Sequence, residues 1–134
     1  MVQIPKTIYE EMISHARSWA PYECCGLLGG RENRVEKHYP LTNIQKSPVS
    51  YMIDPKEQFK VFKDLRAQGT DLVAIYHSHP ATEAYPSPTD VRLAYYPDSA
   101  YIIISLQNPE QPAVKGFRIV DQKISAEELE IIAR

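Results

Sequence analysis

Cysteine is scarce in this sequence, and long apolar runs are absent from it. Among 134 residues there are two cysteines, Cys24 and Cys25, which are adjacent. Neighbouring cysteines rarely bridge each other because the disulfide geometry would be strained, so we expect reduced thiols in a reducing cytoplasm. No apolar run approaches the roughly 18 residues that a transmembrane helix needs, and no export signal opens the sequence. These absences predict a cytoplasmic protein that does not contact a membrane.

Charge of one sign is also lacking, since the formal net charge is -2 and the lysines and arginines are scattered along the chain. A nucleic-acid-binding protein would show a basic patch or stripe, so we expect no nucleic-acid partner. Apolar residues make up 43% of the chain, which is ordinary for a globular protein. We expect one domain, 1–134, with its own core, because a chain of this length buries roughly 68–70% of its surface.

Two longer helices and one short helix are predicted. Apolar residues at helical spacing predict the first helix over 6–19. The second begins at Asp54, which is followed by proline and, three positions on, by glutamate, and it ends at Gly69. A short helix is predicted at 87–95. The apolar side chains of the second helix that we expect to face inward are Phe59, Phe62 and Leu65.

The strands are predicted from apolar runs between turn residues. The unbroken apolar run 72–76 is typical of a central strand that is covered on both faces. A short strand at 2–4 is expected at an edge of the sheet, and the segment 125–132 fits either a helix or a strand. Other strands are expected at 24–28, 34–41, 101–106 and 114–120, with a polar loop at 43–50. The fold class is therefore α+β, a mixed sheet flanked by helices.

The segment that carries chemistry follows the central strand. His77 and His79 are two apart on a strand, so both imidazoles project from the same face. Two imidazoles and the carboxylate of Asp90 form a three-ligand zinc set that leaves a fourth position for water, as in catalytic sites. Zinc bound there would lower the pKa of its water to about 7. The segment reads His77-Ser78-His79-Pro80, six residues, then Ser87-Pro88-Thr89-Asp90.

Each half of this segment has a simpler interpretation when it is taken alone. A lone His-x-His is common on polar strands, and metal binding would then be the less frequent explanation. Ser87 and Asp90 alone suit a helix start, with serine at the N-cap, Pro88 at the first position and an acid at the third. Capping does not exclude ligation, because a helix start fixes Asp90 in the first turn, where its carboxylate can point toward the strand end.

The whole pattern resembles the signature of the JAMM (MPN-plus, Mov34-like) zinc metalloproteases, in their small stand-alone prokaryotic type. That family also places a glutamate upstream, at the start of an early strand after the first helix. Glu23 stands in such an element, Pro21-Tyr22-Glu23-Cys24-Cys25-Gly26-Leu27-Leu28-Gly29. The resemblance extends from the first helix through the strands after Asp90. It implies the JAMM/MPN-type fold, which is cytidine-deaminase-like.

The resemblance also implies roles for individual residues. His77, His79 and Asp90 match the ligands of one zinc ion per chain. Glu23 matches the acid that hydrogen-bonds the water on the metal, takes its proton as general base and passes it to the leaving amine. Ser87 matches a hydroxyl that stabilises the oxyanion of the tetrahedral intermediate. Alone, Glu23 would be read as a solvated surface carboxylate and Ser87 as a helix cap.

Competing chemistries fit the sequence less well. A thiol hydrolase using Cys24 or Cys25 with His77 is conceivable, although cysteines within an apolar strand are more often small buried hydrophobes. Thermolysin-like proteases need His-Glu-x-x-His, which the chain lacks. Zinc deaminases need His-x-Glu and a later Pro-Cys-x-x-Cys, but residue 79 is histidine and no cysteine follows Cys25. A non-catalytic MPN-type scaffold or binding module stays open as the alternative from another class.

The substrate is implied by the resemblance alone. Small stand-alone family members are associated with ubiquitin-like sulfur-carrier proteins and cleave what is attached after a C-terminal Gly-Gly. Such a tail lacks side chains and can lie extended in a narrow groove, adding a strand to an exposed edge. We therefore expect hydrolysis of an amide or isopeptide bond after that Gly-Gly, with a deubiquitinase-like isopeptidase as the alternative. The sequence leaves the leaving group and the oligomeric state open.

Overall fold

The structure is a computed structural model that describes residues 1–133, so Arg134, the last residue of the predicted domain, lies outside the described residues. Within that part of the chain, eight strands form one sheet, and three helices accompany it. The elements in chain order are β1 Val2–Pro5, α1 Lys6–Trp19, β2 Cys25–Arg31, β3 Arg34–Leu41, α2 Pro55–Gln68, β4 Asp71–His79, α3 Pro88–Arg92, β5 Ala100–Ser105, β6 Ala113–Val120, β7 Lys123–Glu127 and β8 Leu129–Ile132.

The sheet is mixed, as predicted, and its strand order is β7-β6-β5-β4-β2-β3-β1-β8. The central strand β4 pairs antiparallel with β2 and parallel with β5. An apolar cluster that includes α1 covers one face of β4, and a second cluster that includes α2 covers the other. This explains why the sequence of β4 is apolar without alternation. Among residues 1–133, no helix combines the length and apolar character that crossing a membrane requires.

The two ends of the sheet are joined by consecutive strands. β7 and β8 stand at opposite ends of the strand order, yet Glu128 alone separates them. The sheet must therefore curl until its ends approach each other, and the Val2 N–H donates to the Glu128 carbonyl at 2.9 Å. The prediction that 2–4 is an edge strand was wrong, because β1 lies between β3 and β8. The segment 125–132, left open by the sequence, is extended and supplies the end of β7 and all of β8.

Helix α2 begins and ends at the predicted signals, and of the three side chains predicted to face inward, Leu65 is buried and Phe62 packs beside it. The Asp54 carboxylate accepts the Lys56 N–H at 2.9 Å, and Gly69 ends the helix with φ of 66°. Phe59, predicted to face inward, is 65% exposed. The buried face of α2 is centred on Val61 and Leu65. Phe59 stands about 200° around the helix from Val61, at 100° per residue, and therefore faces away from the sheet.

Helix α3 is shorter than predicted, because it ends at Arg92 and not at Tyr95. Pro97 disfavours a helical conformation for the residue before it. That residue, Tyr96, instead donates its N–H to the Tyr101 hydroxyl at 3.0 Å. The short helix thus serves mainly to present its first turn, which contains Asp90.

Candidate metal centre

The two histidines project side by side from the C-terminal end of β4. Register places His77 beside Ile103 and His79 beside Ser105 of the neighbouring parallel strand. Their Nε2 atoms lie 3.1 Å apart, and both side chains are buried. The same-face placement expected from their spacing is therefore observed.

The first turn of α3 brings the carboxylate of Asp90 to these imidazoles. Ser87 and Asp90 form a capping box: Ser87 Oγ accepts the Asp90 N–H at 3.1 Å, and the Ser87 N–H donates to Asp90 Oδ2 at 2.9 Å. The same Oδ2 atom lies 3.2 Å from His77 Nε2 and 3.1 Å from His79 Nε2. Capping and approach to the histidines thus occur together, as the sequence suggested.

Hydrogen bonding orients His79 for ligation. Its Nδ1 atom lies 2.8 Å from the Glu83 carbonyl, which can only accept, so Nδ1 carries the proton. In the neutral ring the lone pair of Nε2 then faces the electron-rich Oδ2 of Asp90. Either a second proton on that ring or a cation relieves this opposition. A backbone carbonyl behind the imidazole is also the usual partner of a metal-bound histidine.

The donor set fits a divalent transition metal. One ligand atom from each of His77, His79 and Asp90 lies within 4.8 Å of the others. Although burial opposes it, hydrogen bonding with both histidines holds the pKa of Asp90 well below its usual range. The carboxylate is therefore charged at neutral pH, as a metal ligand must be. Two imidazoles and one carboxylate suit zinc-like ions better than magnesium or calcium, which prefer oxygen ligands.

Glu23 is buried beside this cluster with its carboxyl group poorly satisfied. The residue is 3% exposed, and its Oε1 atom has no hydrogen-bond partner within the described residues. Burial raises the pKa of Glu23 to about 8, with the nearby Asp90 adding to the rise and His79 opposing it. A buried carboxyl group without partners favours its neutral form. A cation at the His-His-Asp cluster would instead favour its charged form.

The backbone around Glu23 is tied to two distant segments. On the strand side, Ser78 Oγ accepts the N–H of Cys24 at 2.8 Å. On the loop side, the Glu23 N–H donates to the Ser47 carbonyl at 2.8 Å, and Asn43 Nδ2 donates to the Glu23 carbonyl at 3.0 Å. Sequence reasoning gave no role to Ser78 or to Asn43, which was assigned to a polar loop.

The same loop covers one of the candidate metal ligands, His77, with an aromatic ring. Tyr51 stacks on His77 with 4.6 Å between ring centroids and 26° between ring planes. Beside Asp90, a cavity of about 280 Å³ is lined largely by apolar and aromatic side chains. Its walls include Tyr51, Met52, Ile53, Leu93, Tyr95 and Tyr101. Tyr51 was not predicted, and its placement beside a polar loop gave no periodic signal.

The cysteines are free and buried, as predicted. Burial raises the pKa of Cys24 to about 12 and raises that of Cys25 as well. The thiolate is the nucleophilic form of cysteine, so neither residue is activated for attack at neutral pH. This disfavours the thiol-hydrolase alternative.

Comparisons with known proteins identify the relatives of this chain. Residues 5–120 match the family model described as prokaryotic homologs of the JAB domain. The chain is 43% identical over 123 residues to the CysO-cysteine peptidase of Mycobacterium tuberculosis, covering 90% of this chain and 84% of that protein. It is 41% identical over 95 residues to a probable TtuB-protein conjugate cleaving protease of Thermus thermophilus, covering 70% and 64%.

Structural comparison agrees with the sequence comparison. A solution structure of a protein from Desulfitobacterium hafniense is 43% identical, with a TM-score of 0.90, and the match covers all of this chain and 94% of that one. The signature residues, the mixed sheet and these extensive matches all indicate the same family. The chain belongs to the prokaryotic homologs of the JAB domain and is a hydrolase of the JAMM type.

Proposed function

We propose that the chain is a zinc metallopeptidase that hydrolyses the amide or isopeptide bond after the C-terminal Gly-Gly of a ubiquitin-like sulfur-carrier protein. The observation that carries this proposal is the convergence of His77, His79 and Asp90 beside the buried carboxyl of Glu23. The relatives support the substrate class, since one is a CysO-cysteine peptidase and the other a probable TtuB-protein conjugate cleaving protease.

His77, His79 and Asp90 would hold one zinc ion per chain through two imidazole Nε2 atoms and Asp90 Oδ2. When bound there, zinc supplies Lewis-acid chemistry, making water nucleophilic near neutral pH and polarising the scissile carbonyl. The Glu83 carbonyl keeps the proton of His79 on Nδ1, so that Nε2 stays free to bind. The capping box holds Asp90 in place before any metal arrives.

Glu23 would serve as the proton carrier. Its carboxylate takes a proton from the attacking water and delivers it to the leaving amine, which is general base and then general acid catalysis. A cation at the His-His-Asp cluster would favour the charged form that accepts the proton, whereas burial raises the pKa of Glu23 and so favours holding the proton until it is delivered. The unpartnered Oε1 atom is available for that proton.

Ser87 would stabilise the oxyanion of the tetrahedral intermediate. Its Oγ atom accepts the Asp90 N–H in the capping box, and accepting a hydrogen bond leaves the hydroxyl proton free to donate elsewhere. A preorganised donor of this kind stabilises charge that develops only in the transition state. Capping and catalysis are thus compatible uses of the same hydroxyl.

Burial of the site favours a substrate with a thin, flexible tail. His77 and Glu23 are nearly inaccessible, so the scissile bond must reach into a narrow space. Two glycines present no side chains to obstruct that approach. The apolar cavity beside Asp90 would receive the tail residues that precede them.

A carrier protein extended by one cysteine after Gly-Gly tests this proposal. Mass spectrometry should show release of cysteine and a carrier ending in Gly-Gly. A second substrate, in which the same carrier is joined through an isopeptide bond to a lysine of another protein, distinguishes the two leaving-group classes. Failure of the zinc-loaded protein to cleave either substrate would contradict the proposed function and favour the binding-module alternative.

The expected compartment is proposed on separate grounds. Cys24 and Cys25 are free thiols, and free thiols are typical of a reducing environment. This supports our expectation of a cytoplasmic protein.

A further inference from the structure

Asn43 is a completely buried polar side chain in the segment between β3 and α2, with 0% exposure. A buried amide is costly unless all its hydrogen-bonding groups are satisfied. Asn43 meets this requirement fully with four backbone partners. Its Nδ2 donates to the carbonyls of Glu23 (3.0 Å) and Ser50 (3.1 Å), and its Oδ1 accepts the N–H groups of Gln45 and Met52 (both 3.0 Å).

These four bonds connect two parts of the chain. The partners Gln45, Ser50 and Met52 belong to the loop that follows Asn43. The side-chain amide therefore fills the loop interior and adds to the backbone bridge that Asn43 forms with Ile53. The fourth partner, Glu23, is 20 residues upstream. Ser47 of the same loop accepts the N–H of Glu23 at 2.8 Å. Both backbone polar groups of Glu23 are therefore held by one loop, which Asn43 organises.

The side chain of Glu23 has no comparable support. Its Oε1 atom lacks a hydrogen-bond partner in the described residues, so the position of the carboxyl group depends on the backbone that carries it. The same loop also presents Tyr51, which lies between two partners of Asn43 and stacks on His77. The loop thus holds Glu23 and contacts a metal ligand at once.

We propose that Asn43 is a positioning residue. By hydrogen-bonding the backbone of Glu23 to the loop, it sets the position of Glu23 relative to the cluster of His77, His79 and Asp90. This inference rests on the proposed function of Glu23 as the proton carrier. Asn43 does not touch the reacting atoms. Its effect on catalysis passes through Glu23, and a misplacement of about 1 Å can cost roughly 10²-fold in rate.

Asn43→Asp is the discriminating variant because it changes little in size. The retained Oδ1 can still accept from Gln45 and Met52, whereas the second carboxylate oxygen faces the carbonyls of Glu23 and Ser50 and can only repel them. With the cysteine-extended carrier as substrate, we expect kcat to fall by about 10- to 100-fold, KM to stay within about threefold and zinc content to be unchanged. Val49→Ala is the control, since Val49 lies in the same loop and is 75% exposed.

A double-mutant cycle with Glu23→Gln separates positioning from a general structural role. If Asn43 acts through Glu23, adding Asn43→Asp to Glu23→Gln should cost much less than it costs in the wild type. Multiplicative losses would overturn the proposal, as would a wild-type kcat in Asn43→Asp. Wild-type turnover by Glu23→Gln would instead contradict the proposed function, and that result does not depend on Asn43.

Hydrogen exchange on the zinc-loaded wild type tests these hydrogen bonds directly. It needs neither an activity measurement nor a variant that must fold. The amides of Glu23, Gln45 and Met52 should be protected and should open together, because one side chain and one loop hold them. Exchange of the Gln45 and Met52 amides at the rate of an unprotected loop would overturn the proposal.

Discussion

The Nε2 atom of His79 lies 3.1 Å from the Oδ2 atom of Asp90, although one residue ends a strand and the other lies in the first turn of a helix. Hydrogen bonds from outside the pair fix both side chains: the Glu83 carbonyl orients His79, and the Ser87 N–H holds Asp90. These two candidate ligands are therefore arranged by the fold itself. A site of this kind should bind metal without reorganising the domain.

We predict one zinc ion per chain and its loss in His77→Ala or Asp90→Ala, with loss of activity but not of the fold. The apolar clusters on both sheet faces contain neither His77 nor Asp90, so circular dichroism should remain native. Metal analysis after zinc addition and gel filtration measures the binding. Asp90→Asn is a matched control for the helix cap, since it keeps an oxygen acceptor for the Ser87 N–H while removing the charge.

Wholesale unfolding of these variants would show that the metal is structural. A wild type that stays metal-free after zinc addition would remove the basis for the catalytic interpretation.

Glu23→Gln should keep the zinc and lose most of the rate. Glutamine preserves the size of the side chain but cannot accept the proton, and general base catalysis is worth roughly 10²–10⁴-fold. KM should change little, because Glu23 serves the attacking water and not the Gly-Gly tail. Steady-state kinetics on the cysteine-extended carrier, with metal content measured in parallel, gives both quantities. A wild-type kcat would show that the base lies elsewhere.

Cys24→Ser and Cys25→Ser should keep turnover within an order of magnitude, since the proposed chemistry needs no thiol. Both cysteines are buried in apolar clusters, so serine should lower stability, and alanine variants provide the comparison that avoids a buried hydroxyl. Turnover should be measured well below the thermal midpoint of each variant. Inactivity of a folded, zinc-loaded alanine variant would revive the thiol mechanism.

The parts of the site that the sequence predicted are those governed by local rules. Alternation along a strand places His77 and His79 on one face, and helix-start preferences place Asp90 in the first turn of α3. Glu23 has no local signature of this kind and was assigned through the family resemblance. Glu23 stands just before β2, and the pairing of β2 with β4, which places it near the histidines, joins strands about 50 residues apart.

The parts that were missed depend on tertiary closure. The side chain of Asn43 bonds to Glu23, which is 20 residues upstream. A polar loop has no periodic sequence pattern that would indicate such a bond. The strand at the N-terminus was placed at an edge because nothing local shows that β8 returns to cover it. Phe59 was placed inward because it stands at helical spacing from Phe62 and Leu65, but packing on the sheet centres the buried face on Val61 and Leu65.

The final prediction concerns a cluster away from the metal centre, in which the Tyr76 hydroxyl lies 2.7 Å from His15 Nδ1 and 2.6 Å from His38 Nε2. The Nδ1 atom of His38 lies 3.0 Å from the carboxylate of Glu11, which accepts a hydrogen bond from its N–H. In the neutral ring His38 Nε2 must then accept from the Tyr76 O–H, and Tyr76 in turn accepts from His15. Neutral histidines therefore suit this arrangement.

Acidification should destabilise the fold through these histidines. Burial, together with the neighbouring His38, lowers the pKa of His15 from 6.5 to about 4, and burial lowers the pKa of His38 also. Between these values the unfolded chain binds more protons than the folded one, so the free energy of unfolding falls as the pH drops from about 6.5 toward 4. For His15 alone, the full shift corresponds to a loss of about 2 kcal/mol between pH 7 and pH 5, and solvent screening of this partly exposed ring makes the expected loss smaller. Urea denaturation at both pH values should show this loss in the wild type and a smaller one in His15→Gln, which cannot titrate. An equal loss in both proteins would mean that His15 does not contribute, and the acid sensitivity would then have to arise from other groups.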